Sequence, residues 1–226
     1  MKLRLSSLIP LAGAAACTLI LPLLNGCASG PVPADWQVNA RDALESSQQF
    51  YLLGNDKLAQ SELARSRAQV ATSGRLDLLA RVVLTQCAAQ IASLVAKDCP
   101  EFAPLAKDAL PAERSYHAYI SGQWQEVNGA LLPKQQQGVF ANPADVKQLA
   151  AIKDPVSQIL AAALLLQKEK ISPEGIKLAV DAASSQGWRR PLLAWLGVQA
   201  QYAEKSGDSA LAAQARRRMD LVAAPK

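Results

Sequence analysis

The chain has 226 residues and a formal charge of +5, from 24 basic against 19 acidic side chains. That excess is modest and dispersed, its longest run being Arg216-Arg217-Arg218, so it implies no nucleic-acid partner. A single histidine excludes a multi-histidine metal site, and a composition led by Ala, Leu and Gln, with 5% aromatics, is that of a helical protein.

The first element is a leader. Lys2 and Arg4 form a basic head, residues 5–24 are uncharged and mostly apolar, and a small residue then precedes a cysteine in Leu24-Asn25-Gly26-Cys27. This order reads as a secretory signal over 1–26. The other reading is a retained transmembrane helix, since about 20 apolar residues suffice to span hydrocarbon. Pro10 and Pro22 interrupt that helix, and no basic stop-transfer cluster follows. The four-residue motif resembles the lipobox of bacterial lipoproteins, which are cut before a cysteine thioether-linked to diacylglycerol. The resemblance implies a triacylated Cys27 embedded in the membrane. In such lipoproteins Asp after the cysteine marks inner-membrane retention; here the residue is Ala28, which implies the periplasmic face of the outer membrane.

Removing the leader, which carries Lys2 and Arg4 and no acidic residue, takes the charge from +5 to +3 and leaves 200 residues. Residues 27–34 form the lipidated cysteine and a Pro- and Gly-containing tether. Residues 35–226 suffice for one domain.

A helix is expected over 35–53, with Trp36, Ala40, Ala43, Leu44, Ser47, Phe50 and Tyr51 on one face. Gly54-Asn55 stops it, and a second helix follows over 57–72 with Leu58, Leu63 and Val70 inward. The third, over 75–96, carries Leu76, Leu79, Val83, Cys87, Ile91 and Leu94 as a stripe. Cys17 departs with the leader and Cys27 is consumed by lipid, leaving Cys87 and Cys99 in an oxidising compartment. An unbroken helix would hold those two about 18 Å apart, whereas a disulfide needs Cα atoms within about 7 Å. A bridge therefore requires the helix to stop near Ser93 and the chain to fold back; otherwise Cys87 is a buried thiol and Cys99 an exposed one.

A short helical piece at 101–107 and a helix over 111–121 follow. Residues 131–138, with Gln135-Gln136-Gln137, read as a polar loop. Asn142-Pro143, Asp154-Pro155 and Ser172-Pro173 each pair a capping residue with proline at the first helical position. The helix over 156–166 is the most apolar after the leader and belongs at the core. Gly187 closes the next helix, and two more run over 191–206 and 209–222. Eight or nine helices on short turns make an all-α stack of antiparallel hairpins.

Three turns are alike: Gly54, Gly122 and Gly207 each follow an aromatic residue (Tyr51, Tyr119, Tyr202) and precede a small apolar one by five positions (Ala59, Val127, Ala212). This is similar to the inner turn of a tetratricopeptide repeat, and 68 residues separate the first two glycines, twice the usual period. The third lies 85 residues beyond the second, and Pro133 shortens the helix after Gly122. An irregular helical bundle is the other architecture that fits.

Candidates for chemistry are few. His117 lies in a helix, the cysteines lack CxxC spacing, and no phosphate-cradling glycine loop occurs. No cofactor and no metal are expected. A cell-wall- or lipid-active enzyme would have to use Glu45 or His117, and a carrier would hold an apolar ligand against the 156–166 helix. The arginines at 216–218, with Arg189 and Arg190, could meet phosphate groups, but consecutive helical residues point in different directions. Trp188 and Trp195 read as core. The tetratricopeptide resemblance implies a non-catalytic accessory factor for envelope assembly that binds a partner protein in a groove. The expected contact positions are exposed aromatics beside the turns: Tyr51, Tyr119 and Trp124.

Overall fold

The structure, a computed structural model, describes residues 33–224. The leader, Cys27 and most of the tether lie outside the described residues. Within them the chain is all-α, as expected, with no strand. The helices are α1 (Asp35–Leu53), α2 (Asp56–Ala71), α3 (Leu76–Ala92), α4 (Pro111–Ile120), α5 (Lys134–Ala141), α6 (Val146–Ala150), α7 (Pro155–Gln167), α8 (Pro173–Ser185), α9 (Arg189–Lys205) and α10 (Ser209–Ala223). Tight 3-10 turns cover Pro100–Leu105, Trp124–Glu126 and Gly129–Leu131. Among the described residues no helix is long and apolar enough to cross a membrane.

The core forms around α7, where every residue from Ile159 to Leu165 is buried. Helices α3 and α8 pack against it, and α9 covers α8. Trp195 of α9 is fully buried and its indole Nε1 donates to the Ala92 carbonyl at the end of α3, 3.0 Å away. Trp188 is also core, with Nε1 donating to Gln49 Oε1. Helix α3 does stop at Ser93, and Leu94 takes a left-handed φ of 58°. The chain turns back so that Cys87 and Cys99 form a disulfide with Cα atoms 5.6 Å apart.

Two glycine turns produce helical hairpins. Gly54 (φ 88°) joins α1 to α2, and Gly207 (φ 80°) joins α9 to α10. A side chain at either φ would be strained, which is what glycine relieves. Ala59 and Ala212 are buried, so the paired helices approach closely. In the first hairpin two buried serines reach across: Ser47 Oγ donates to the Ala59 carbonyl at 2.7 Å, and Ser66 Oγ to the Ala40 carbonyl at 2.8 Å.

At Gly122 (φ 73°) the chain also reverses, but it continues through the two 3-10 turns before Pro133 permits another helix. Nor are contacts confined to sequence neighbours, as they are in a linear repeat array. Helix α1 packs on α9, and Arg190 Nε donates to the Tyr51 carbonyl at 2.8 Å while its guanidinium pairs with Asp56. The described helices thus close into a bundle in which the first hairpin meets the last.

Four local expectations need correction. Residues 134–141 are helical, because Gln is an adequate helix former and Gln136 finds buried partners. The Asn142-Pro143 pair starts no helix: α6 begins at Val146, with Asp145 Oδ1 accepting from the Lys147 N–H. Asp154 and Ser172 do cap α7 and α8, accepting from Ser157 and Gly175. Leu58 and Leu76, assigned inward, are 42% and 45% exposed, each lying in the first turn of its helix.

Candidate functional site

Of the three aromatics expected to be exposed beside the turns, none is. Tyr119 is wholly buried: its hydroxyl donates to Gln136 Oε1 at 2.9 Å, and Gln136 Nε2 in turn donates to the Ser157 carbonyl. Burial raises the Tyr119 phenol far above its ordinary pKa. Trp124 is half-buried, stacked on Tyr119 with centroids 5.7 Å apart, and its Nε1 donates to the Tyr119 carbonyl. Both follow from one cause, since α4 is short and the chain after Gly122 folds back over it. They belong to the packing of an aromatic cluster with Phe140.

Tyr51 differs. Its ring is half-buried beneath the Arg190 guanidinium, 4.3 Å from the centroid, and its buried hydroxyl has no hydrogen-bond partner. Burial raises its pKa and Arg190 opposes the shift.

Glu45 lies exposed on α1, with Oε1 3.8 Å from Arg41 Nε. His117 is half-buried and stacked on Phe102, with Ser121 Oγ 3.3 Å from Nε2. Desolvation lowers its pKa, against the pull of a hydrogen bond to the Cys99 backbone, and keeps the ring neutral at pH 7. The C-terminal arginines diverge: Arg216 pairs with Glu204 of α9, while Arg218 turns toward Ser184 of α8. The C-terminal end of α7, at Leu166 and Gln167, lines a depression. Among the described residues no group of three or more His, Cys, Asp or Glu is placed to hold a metal.

Two depressions adjoin along α3. A small depression of about 90 Å³ lies between α1, α2 and α3, lined by Ser47, Gln48, Tyr51, Gln60, Gln86 and Gln90. A larger one of about 400 Å³ lies between α3, α4 and the segment before α5, lined by Leu84, Glu113, Tyr116, Leu131, Leu132 and Pro133. Thr85 lines both, so they adjoin. Each is lined by a residue that carries a buried, unpartnered oxygen: Tyr51 Oη for the first and Glu113 Oε2 for the second. Such atoms cost about 1–3 kcal/mol apiece.

Glu113 is 5% exposed, and its other oxygen accepts from Arg81 Nε at 2.5 Å. Sequence reading missed this pair. Glu113 at the third position of a proline-started helix reads as an ordinary N-terminal acid, and Arg81 lies off the apolar stripe of α3. They stand 32 residues apart. The available trace was Leu131-Leu132-Pro133, apolar residues heading a segment otherwise rich in glutamine. No protein-family model, no curated protein and no solved structure matches this chain.

Proposed function

We propose that the protein is an outer-membrane lipoprotein, anchored through lipid on Cys27, whose helical domain acts in the periplasm as a non-catalytic accessory factor for envelope assembly. In this reading it grips a partner protein on the α3 face. The observation that carries the gripping role is the pair of adjoining depressions, each lined by a residue with a buried oxygen in want of a donor. The address is supported by the lipobox-like residues and by a disulfide of the kind oxidising compartments preserve. Affinity capture of the tagged protein from cross-linked cells tests the role: a partner cross-linked through α3 or α4 is expected, and recovery of none above background sinks it. Mass spectrometry of the mature N-terminus tests the address, which an unmodified Cys27 or an intact Met1 leader would overturn.

A catalytic reading has one observation behind it. A neutral His117 with Ser121 Oγ at 3.3 Å has the pairing by which imidazole activates a hydroxyl. A fluorophosphonate probe separates the two readings, because a non-catalytic protein leaves Ser121 unlabelled.

A further inference from the structure

The chemistry of the α3 face narrows what fits it. Resting on the interaction reading above, we infer that this face binds an extended peptide segment, one residue of which pairs its backbone N–H with Glu113 and its C=O with Arg81 while an aliphatic side chain fills the depression at Leu84, Leu131 and Leu132.

Glu113 is buried, lines the larger depression and leaves Oε2 unpaired. An ionised carboxylate only accepts hydrogen bonds, so an occupant toward which the Glu113 side chain turns this oxygen must bring a donor. That donor is neutral rather than cationic, because the Arg81 guanidinium already stands against the carboxylate and repels a second positive charge. Arg81 reaches Glu113 through Nε alone, and its side chain is 55% exposed, so its Nη groups face outward as donors. Glu113 and Arg81 therefore present an acceptor beside donors. A residue in an extended chain shows the complementary edge, with N–H and C=O on the same side.

The walls agree. Leu84, Ala112, Leu131, Leu132 and Pro133 surround the pair with aliphatic surface. Lining residues run from Arg81 to Gln90 along α3, about 14 Å at 1.5 Å per residue. Four extended residues at about 3.3 Å each cover that length. Past Thr85 the lining changes to Gln60, Gln86 and Gln90, whose carboxamides both donate and accept, as successive peptide groups require. A glycan is the competing occupant in an envelope compartment. Sugar rings stack on open aromatic faces, however, and of the two tyrosines lining these depressions Tyr51 is covered by Arg190 and Tyr116 is packed against the core beside Tyr119.

The test uses the full chain in detergent and two libraries of acetylated, amidated pentapeptides with a fixed central Leu. In the second library that Leu is N-methylated, which deletes one donor. The first library should be retained, and N-methylation should reduce retention about tenfold, the loss of one good hydrogen bond. Leu131→Lys, at a position 38% exposed, should cause a similar loss without altering the circular dichroism spectrum. Glu113→Gln keeps an acceptor oxygen and should hold retention within about threefold, whereas Glu113→Met should abolish it. Equal retention of both libraries, indifference to Leu131→Lys, no peptide retention, or retention of tetra-N-acetylchitotetraose in place of peptide would each overturn the inference. If peptides are not retained but cells yield a partner cross-linked elsewhere, this inference and the α3 grip fail while the accessory role stands. If peptides behave as expected and cells yield no partner, the inference stands and the accessory role fails.

Discussion

The α7–α9 region and the α1–α2 hairpin solve helix packing in opposite ways. Around α7, large apolar side chains interlock: Ile159, Leu160, Leu164, Leu196 and Trp195 are each essentially unexposed. In the hairpin most buried residues are small, Ala40, Ala43, Ser47, Ala59 and Ser66 beside Leu52, Leu63 and Val70, and serine hydroxyls bridge to carbonyls of the facing helix. The first region is held by large interlocked apolar side chains, the second by fewer of them together with close approach and hydrogen bonds. The small-residue hairpin leaves a hollow of about 90 Å³ against α3, and the hollow of about 400 Å³ adjoining it lies between α3 and α4, outside both packing modes.

Substitutions in the two regions should separate these modes. Trp195→Ala removes a fully buried ring and its bond to Ala92, and should cost about 3–5 kcal/mol in denaturant unfolding. A loss below 1 kcal/mol would mean that α9 is not part of the cooperative core. Reducing the Cys87–Cys99 bridge, which closes a loop of sequence separation 12, should cost about 3 kcal/mol and show as a lower Tm under dithiothreitol. In the hairpin, Ser66→Ala should cost only about 1 kcal/mol, because the carbonyl it leaves is already bonded within its helix. A penalty as large as that of Trp195→Ala would erase the distinction.

The Arg81–Glu113 pair, which belongs to neither region, should behave in reverse. Glu113→Met removes a buried charge and leaves Arg81 solvated, so unfolding should show a gain of about 1 kcal/mol even as binding is lost. A net destabilisation would show instead that the carboxylate serves the fold.

An effect confined to acid is expected from Asp77, whose carboxylate accepts two bonds from the Arg75 guanidinium, which hold its pKa at about 2. A folded pKa below the unfolded one gives stability that is present above about pH 4 and lost as pH falls toward 2. Asp77→Asn should flatten that limb of the stability curve; an unchanged limb would assign the acid sensitivity to other groups.

Legibility in the sequence followed the same division. The apolar run of α7, its Asp154-Pro155 start and the hairpin glycines were readable because each depends on local chemistry. So was the fold-back after Cys87, since the disulfide's reach demanded it. The α5 helix was not, because what stabilises Gln136 is Tyr119 and Ser157, neither of them a local signal. The aromatics expected beside the turns failed for the same reason: Tyr119 is buried by a chain reversal that begins after it. The Arg81–Glu113 pair exists only once α4 lies against α3, and no spacing announces that.

The bond from Arg190 back to Tyr51 governs how the molecule comes apart. A solenoid whose ends are free can fray one unit at a time, or be trimmed and extended with each remaining unit intact. Here the chain is buckled: residues 139 positions apart in sequence hold each other, and α1 cannot leave without uncovering α9. Melting should therefore proceed as one event, and amide exchange at the two ends of the described chain should slow together, as though they were neighbours.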